Sequence, residues 1–161
     1  MLKAMSKHVY LKRALYTCID DVIFTQRLRN NPGNSKWFFT SKKSTFRQQK
    51  NFLRNEDNFY IIYDQEEQKR IGTVSAYNFR EKSKSCEVGR ICVSSPFRRK
   101  GYAYFGLIKL VNLLVKKQNV KKIFAYIKED NEASRNLFKL CGFEEGKKID
   151  EDKVEFIWSC K

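Results

Sequence analysis

The feature that most constrains the fold is the junction at residues 93–103, VSSPFRRKGYA, where a strand pattern gives way to a helical one. Residues 86–93 are mostly apolar, and from Ala103 onward apolar residues recur at helical spacing. A strand that turns directly into a helix aims unpaired backbone N–H groups at one point. Three cations, Arg98, Arg99 and Lys100, lie in the same turn. The junction therefore predicts a site for a bound phosphate or pyrophosphate.

The alternative for this turn is a solvated, basic helix start. Cations at a helix N-terminus oppose the macrodipole by a few tenths of a kcal/mol each unless an anion lies between them, which favours the anion site. Gly101 has no Cβ and lets the backbone approach a ligand closely. Neither a P-loop nor a G-x-G-x-x-G pattern is present, so the turn does not predict a nucleotide site of those kinds.

A strand, a helix and a second strand follow one another over residues 86–127. Residues 121–127 are apolar on both faces, which is typical of a covered, parallel strand. The basic turn then lies at the carboxyl end of the first strand, where open α/β sheets bind ligands. Beyond this unit we predict a helix over 132–141 that ends at Gly142, and two closing strands that finish near Trp158.

The N-terminal half predicts smaller elements. We expect a strand over 9–14, a helix over 17–30, a turn at 30–34 and a helix from Thr45 to Arg54 that starts with a Thr45–Gln48 capping box. Residues 59–63, 70–79 and 86–93 predict an antiparallel meander. The inner side of the first helix is predicted to carry Ile19, Val22, Ile23 and Leu28.

The composition excludes several classes of protein. With 42% hydrophobic residues we expect one globular domain over residues 1–161. There is no apolar run of roughly 18 residues and no apolar secretory core, so the sequence predicts a cytoplasmic protein without a membrane partner. The five cysteines are scattered and His8, the single histidine, lies in the N-terminal tail, so no metal site, disulfide or cysteine nucleophile is predicted.

The net charge of +15 favours anionic partners. The basic residues are spread along the chain, and lysine is the weaker choice for bidentate phosphate recognition. We interpret the charge as a field that attracts anionic ligands, with a solvated surface as the alternative.

Two segments resemble the GNAT N-acetyltransferase superfamily. The spacing Arg98-x-x-Gly101-x-Ala103 is similar to its acyl-CoA pyrophosphate motif, [RQ]-x-x-G-x-[GA]. Residues 131–143, NEASRNLFKLCGF, resemble the segment N-x-x-[AS]-x-x-x-[YF]-x-x-x-G-F. The resemblance covers residues 86–144 and is weak over 1–60, where this superfamily builds its acceptor specificity.

The resemblance implies a mixed α/β fold of the GNAT type: a central, mostly antiparallel sheet with two splayed parallel strands, and helices on both faces. Acetyl-CoA would be the co-substrate, without a metal, and its pantetheine arm would fill the gap between the splayed strands. The residues implied to hold it are Ile91, Cys92 and Val93 through main-chain groups, Arg98, Arg99, Lys100, Gly101, Tyr102, Ala103 and Tyr104 around the pyrophosphate, and Asn131 and Phe138 on the far side.

The resemblance also implies catalytic residues. Glu87 lies where several members keep a glutamate that acts as a base through water, although a surface or structural carboxylate paired with a lysine is the alternative. Phe138 replaces the tyrosine that protonates the departing thiolate in many members. Tyr126, Tyr102 or Tyr104 would take over that role, or the thiolate would leave unassisted. Tyr126 also lies where another branch keeps a glutamate base, so that second base is missing here.

The acceptor is the least constrained part. Asn30, Trp37 and Phe38 loosely resemble the acceptor region of GNAT enzymes that act on amino-sugar nucleotides or protein N-termini; the alternative is an aromatic cluster buried in the core. The leading hypothesis is acetylation of a small amine, such as an amino-sugar nucleotide. The alternatives are acetylation of a protein N-terminus or lysine, and a non-catalytic, basic nucleic-acid-binding protein with this fold. A homodimer is also compatible with the sequence.

Overall fold

The computed structural model describes residues 9–40 and 42–160, so the N-terminal tail with His8 lies outside the described residues. One mixed sheet runs through this part of the chain. Its strands are β1 (Val9–Arg13), β2 (Phe59–Asp64), β3 (Arg70–Arg80), β4 (Ser85–Val93), β5 (Lys122–Lys128), β6 (Glu144–Asp150) and β7 (Lys153–Ser159). The helices are α1 (Ile19–Asn30), α2 (Pro32–Ser35), α3 (Phe46–Arg54), α4 (Tyr102–Gln118) and α5 (Glu132–Leu140), and a 3₁₀ turn covers Ser95–Phe97.

The strand order across the sheet is β1-β2-β3-β4-β5-β7-β6. Every neighbouring pair is antiparallel except β4 and β5, which are parallel and are joined by α4. The predicted meander and strand–helix–strand unit are therefore confirmed.

Both faces of the sheet are covered. Ile61 and Ile62 are neighbours on β2 and point to opposite faces, and each is fully buried in a different core cluster. The larger cluster packs α4 and α5 on one face, and the smaller one packs α1 and α3 on the other. In the larger cluster Leu107, Leu110 and Leu114 are completely buried, and each such side chain contributes about 1.5–3 kcal/mol by leaving water.

The parallel strands separate after three residue pairs. Ser85, Cys86 and Glu87 pair with Lys122, Ile123 and Phe124, and no pairing follows along the rest of either strand. From there β4 pairs only with β3, and β5 only with β7. The remaining inner edges face each other across a gap.

A bulge in β4 accompanies this separation. The register with β3 shifts between Thr73 and Ser75, and Arg90 has a φ of 54°. The hydroxyl of Thr73 donates to the carbonyl oxygen of Arg90 at 3.0 Å, and the guanidinium of Arg90 bonds to Glu56 at 2.9 Å. Because a bulge bends its strand and increases the local twist, this one helps turn the end of β4 away from β5.

Helix α1 corrects one prediction. Val22 and Leu28 are buried as predicted, but Ile23 is only partly buried and Ile19 is 65% exposed. The inner side carries Asp21 and Thr25 instead. Asp21 forms an ion pair with Arg70 at 2.9 Å, and Thr25 accepts from Gln49 at 3.1 Å. These partners come from distant segments, and they allow polar groups to be buried without losing their hydrogen bonds.

Two local predictions are confirmed. Thr45 and Gln48 form a reciprocal capping box at the start of α3, and Gly142 follows α5 with a φ of 84°. The turn predicted at 30–34 contains the short helix α2, which Asn31 caps by accepting from the amide of Gly33. No helix in the described ranges is long and apolar enough to cross a membrane.

Candidate active site

A cleft of about 1290 Å³ occupies the gap between β4 and β5. It extends from the start of α4, past the unpaired strand edges, to the segment that joins α2 to α3. The structure brings most of the predicted site residues into its lining: Ile91, Cys92, Val93, Arg98, Arg99, Gly101, Tyr102, Ala103, Tyr104, Tyr126, Asn131, Phe138, Trp37 and Phe38. Glu87, Lys100 and Asn30 do not line it.

The start of α4 forms a cradle of backbone amides. Arg99 and Gly101 both lie in the left-handed region, with φ of 59° and 85°, and alternating conformations of this kind point successive N–H groups toward one centre. The amides from Gly101 to Tyr104 have no acceptor within the described part of the chain. With the positive end of a 17-residue helix behind them, these amides fit a diphosphate.

Arg98 supports this loop from the side. Its Nε donates to the carbonyl oxygen of Val93 at 3.1 Å, and its Nη2 donates to Oδ1 of Asn34 at 2.8 Å. Asn34 in turn donates to the carbonyl oxygen of Leu28 at 2.8 Å. The side chain predicted to hold the pyrophosphate thus joins the cradle to helices α1 and α2. Lys100 lies outside the cleft, with its ammonium group 5.9 Å from the centre of the Phe97 ring.

The far side of the gap is built by α5. Asn131 caps this helix by accepting from the amide of Ser134 at 3.2 Å, and it also lines the cleft. Phe138 is almost completely buried, with its ring 4.9 Å from Phe143 and 6.2 Å from Phe156. An extended chain with amide groups, such as a pantetheine arm, fits between this wall and the unpaired edge of β4.

The three tyrosines considered as acids differ in their surroundings. The hydroxyl of Tyr102 donates to Asp64 at 2.8 Å, and burial together with this bond raises the pKa of Tyr102 to about 12. Tyr104 and Tyr126 line the cleft. Burial raises the pKa of Tyr126, and the carboxylates of Glu87 and Glu155 raise it further.

Glu87 lies at the point where β4 and β5 separate. It is 8% exposed, and its Oε1 accepts from Nη2 of Arg80 at 3.0 Å. The alternative to a catalytic role was a structural carboxylate paired with a lysine, and the observed partner of Glu87 is an arginine instead. Glu87 does not line the cleft itself, but two tyrosines that do line it are its neighbours in the sheet. Tyr77 is the partner of Glu87 on β3, and Tyr126 lies two residues after Phe124, its partner on β5.

Tyr77 is a cleft residue that the sequence reasoning missed. Burial raises the pKa of Tyr77, and Arg90, whose guanidinium lies 4.2 Å from the ring centre, opposes that shift. A Cβ on Gly89 would come within 2.7 Å of the Tyr77 hydroxyl, so Gly89 leaves room for it. The pairing of Tyr77 with Glu87 across the meander was the signal that could have found it.

The segment that joins α2 to α3 covers the cleft on its other side. Lys128, at the end of β5, donates to the carbonyl oxygen of Lys36 at 3.1 Å, and the ammonium of Lys153 lies 4.6 Å from the centre of the Phe39 ring. Asn30 holds the same segment by exchanging two 2.8 Å hydrogen bonds with the main chain of Ser44. Asn30 therefore positions the wall and does not line it.

The three buried cysteines lack the environment of a nucleophile. Burial raises the pKa values of Cys86, Cys92 and Cys141 to about 12, so these thiols stay protonated near neutral pH. Across residues 9–40 and 42–160 there is no group of three or more His, Cys, Asp or Glu side chains that could hold a metal ion.

This fold and cleft place the chain in the class of acyl-CoA-dependent N-acetyltransferases. The chain belongs to the acetyltransferase (GNAT) family, whose model matches residues 26–143. The predicted fold class, enzyme class and acetyl-CoA co-substrate are thereby confirmed.

Solved structures agree with this fold. Spermidine N-acetyltransferase from Vibrio cholerae, in complex with CoA and spermine, superimposes with a TM-score of 0.83 at 19% identity, covering 95% of this chain and 96% of that one. Apo FdhC, a nucleotide-linked sugar GNAT, superimposes with a TM-score of 0.78 at 22% identity, covering 94% of this chain and 86% of that one. A putative ribosomal-protein-serine acetyltransferase from Vibrio cholerae superimposes with a TM-score of 0.75 at 12% identity, covering 96% of this chain and 95% of that one. No curated relative matches the chain in sequence.

Proposed function

We propose that this chain transfers the acetyl group of acetyl-CoA to the primary amine of a small molecule. The observation that carries the proposal is the arrangement of the cleft, which has an amide cradle at one end and an aromatic wall at the other. The thioester would lie between them, where the strands separate. Trp37 and Phe38 on the wall would contact the acceptor.

The reaction balances without a further reactant. The amine nitrogen attacks the thioester carbon, the N–C bond forms, and the C–S bond breaks as the tetrahedral intermediate collapses. The proton of the attacking amine passes to Glu87 through water, beside Tyr77 and Tyr126. CoA leaves as a thiolate that takes a proton from Tyr126, and Tyr126 regains a proton from Glu87 through water, which restores both groups. Since a free thiol has a pKa of about 8.5, the transfer from Tyr126 to the thiolate is the smaller contribution.

A small acceptor is favoured over a protein chain. The contacts of Lys128 with Lys36 and of Lys153 with Phe39 tie the covering segment to the ends of β5 and β7. An extended peptide would have to pass this tethered segment to reach the thioester. An amino-sugar nucleotide is one small amine of suitable size, and acetylation of a protein N-terminus or lysine is the second candidate.

The test is release of free CoA from acetyl-CoA with a panel of amino sugars, nucleotide-linked amino sugars, polyamines and peptides. Turnover of at least one small amine supports the proposal. Turnover of peptides alone would replace it with protein acetylation.

The position of the acceptor is tested by Trp37→Ala. We expect a higher acceptor KM with unchanged affinity for acetyl-CoA. Phe46→Ala, which truncates an exposed aromatic residue at the start of α3 outside the cleft, is the matched control. Loss of acetyl-CoA binding in Trp37→Ala would place Trp37 on the donor side.

A further inference from the structure

The described residues that line the cleft include eight cations and no carboxylate. The cations are Arg29, Lys36, Lys42, Lys43, Arg90, Arg98, Arg99 and Lys128. Several acidic side chains beside the cleft already have partners. Glu87 pairs with Arg80, Asp64 accepts from the Tyr102 hydroxyl, and Glu56 pairs with the lining cation Arg90. The charged side chains among the described lining residues are therefore all positive.

This asymmetry is not a simple result of the basic composition. Roughly a quarter of the chain lines the cleft, so a random sample would contain about eight or nine of its 33 basic residues and about four or five of its 18 acidic ones. The basic residues are present at the expected number. The carboxylates are missing, and it is this exclusion that distinguishes the cleft from the rest of the surface.

The lining cations fall into two groups by their place in the fold. Arg98 and Arg99 belong to the cradle at the start of α4. Arg29, Lys36, Lys42 and Lys43 belong to the opposite wall, formed by the end of α1 and the segment before α3. None of these four forms an ion pair with a described residue: Arg29 donates to the Thr40 hydroxyl at 3.1 Å, and Lys36 lies over the Trp37 ring at 4.7 Å.

We infer that the acceptor is a primary amine that also carries a phosphate group, and that Arg29, Lys42 and Lys43 bind this phosphate. The inference rests on the proposed function and names the substrate class of that same site. Cations that line one cleft and have no acidic partners attract an anion. The neighbouring rings of Trp37 and Phe38 supply an apolar surface for the rest of the molecule.

The same charges exclude a polyamine. Spermidine and spermine carry several positive charges, and the described lining of the cleft, with eight cations and no carboxylate, disfavours their binding. This chain therefore differs in acceptor class from the spermidine N-acetyltransferase that it resembles in fold.

Three acceptors that differ mainly in charge test the inference: glucosamine 6-phosphate, glucosamine and spermidine, each assayed by CoA release. We expect kcat/KM for glucosamine 6-phosphate to exceed that for glucosamine at least tenfold, with spermidine slowest. Raising the salt concentration should narrow the difference, because the attraction is screened.

The double variant Lys42→Gln/Lys43→Gln tests the assigned residues. It should raise the KM for glucosamine 6-phosphate at least threefold and leave the KM for acetyl-CoA unchanged. Lys116→Gln/Lys117→Gln removes the same two charges from the last turn of α4, outside the cleft, and is the matched control. An equal effect of both variants would assign the preference to the net charge of the protein and would overturn the site.

The outcomes separate the inference from the function. Turnover of spermidine or glucosamine at least as fast as of glucosamine 6-phosphate refutes the phosphate-bearing acceptor and leaves the acetyltransferase proposal intact. Binding of acetyl-CoA without CoA release in the presence of any amine refutes both.

Discussion

The hydroxyl of Tyr102 donates a 2.8 Å hydrogen bond to Oδ2 of Asp64, which joins the first residue of α4 to the end of β2. Asp64 is buried and does not line the cleft. The phenol is therefore engaged by a carboxylate that is not part of the cleft lining, while the main-chain amide of the same residue belongs to the cradle.

Tyr102→Phe tests this division of roles. Loss of one hydrogen bond to a buried carboxylate should lower the free energy of unfolding by about 1–3 kcal/mol, or the Tm by roughly 2–4 °C per kcal/mol. The kcat and the KM for acetyl-CoA should not change. Calorimetry and CoA release measure the two effects, and a large fall in kcat at an unchanged Tm would instead assign the phenol to the chemistry.

Gly101→Ala tests the cradle. An alanine at a φ of 85° costs about 1–2 kcal/mol in a left-handed conformation, and relieving that strain would turn the amides away from the ligand. We expect about a tenfold loss of acetyl-CoA affinity, which corresponds to about 1.4 kcal/mol. Gly142→Ala is the control, since Gly142 has a φ of 84° but lies outside the cleft. Equal losses in both variants would show a general destabilisation and would count against the cradle.

Glu87→Gln tests the base. The amide can still accept from Arg80, so the fold should be kept, while kcat/KM should fall by about 10²-fold and its acidic limb should disappear. Glu145→Gln, which removes a carboxylate from the surface ion pairs with Arg135 and Lys139, is the matched change. Wild-type rates across the pH range would remove Glu87 from the mechanism.

Tyr126→Phe tests the acid. The raised pKa of Tyr126 keeps its phenol protonated, and therefore able to donate, at neutral and mildly alkaline pH. We expect about a tenfold lower kcat, a modest effect because the thiolate is itself a good leaving group. The same assay on Tyr104→Phe identifies the alternative, since a loss confined to that variant would transfer the role to Tyr104.

The buried thiols predict a pH dependence of stability. In the unfolded chain Cys86, Cys92 and Cys141 would ionise near the ordinary value of 9.0, whereas in the fold burial raises their pKa to about 12. The folded state therefore binds more protons between these values, and the free energy of unfolding should fall as the pH rises through this window. Urea titrations at pH 8 and pH 11 measure the fall in the free energy of unfolding.

Thiol labelling tests the burial of the same cysteines. At pH 8 a thiol reagent should modify the exposed Cys160 first, and fast labelling of Cys92 would contradict this account.

Much of the second half of the molecule could be predicted because its signals are local. The change from strand to helix spacing at Ala103, and the positions of Gly101 and Gly142, depend on residues close in sequence. The capping box of Thr45 and Gln48 is local in the same sense, and it is present.

The parts that could not be predicted depend on distant partners. Asp21 is buried and Ile19 is exposed, the reverse of what their polarity suggests, because Arg70 on β3 forms an ion pair with Asp21. The departure of β4 from β5 depends on a bulge whose carbonyl is bonded to Thr73, and no apolar pattern reports such a bond. Likewise, the sequence offered three candidate tyrosine acids, and only the contact with Asp64 distinguishes Tyr102 from the other two.

The bonds of Arg98 to Val93 and to Asn34 span the interval between the strand that leads to the donor loop and the helices that carry the aromatic wall. One guanidinium thus contacts both the loop proposed to bind acetyl-CoA and the wall proposed to bind the amine. Because a planar guanidinium is rigid, we expect CoA bound in the loop to affect the position of the opposite wall through these two bonds. We therefore expect initial-rate kinetics to show ordered addition, with acetyl-CoA first and the amine second.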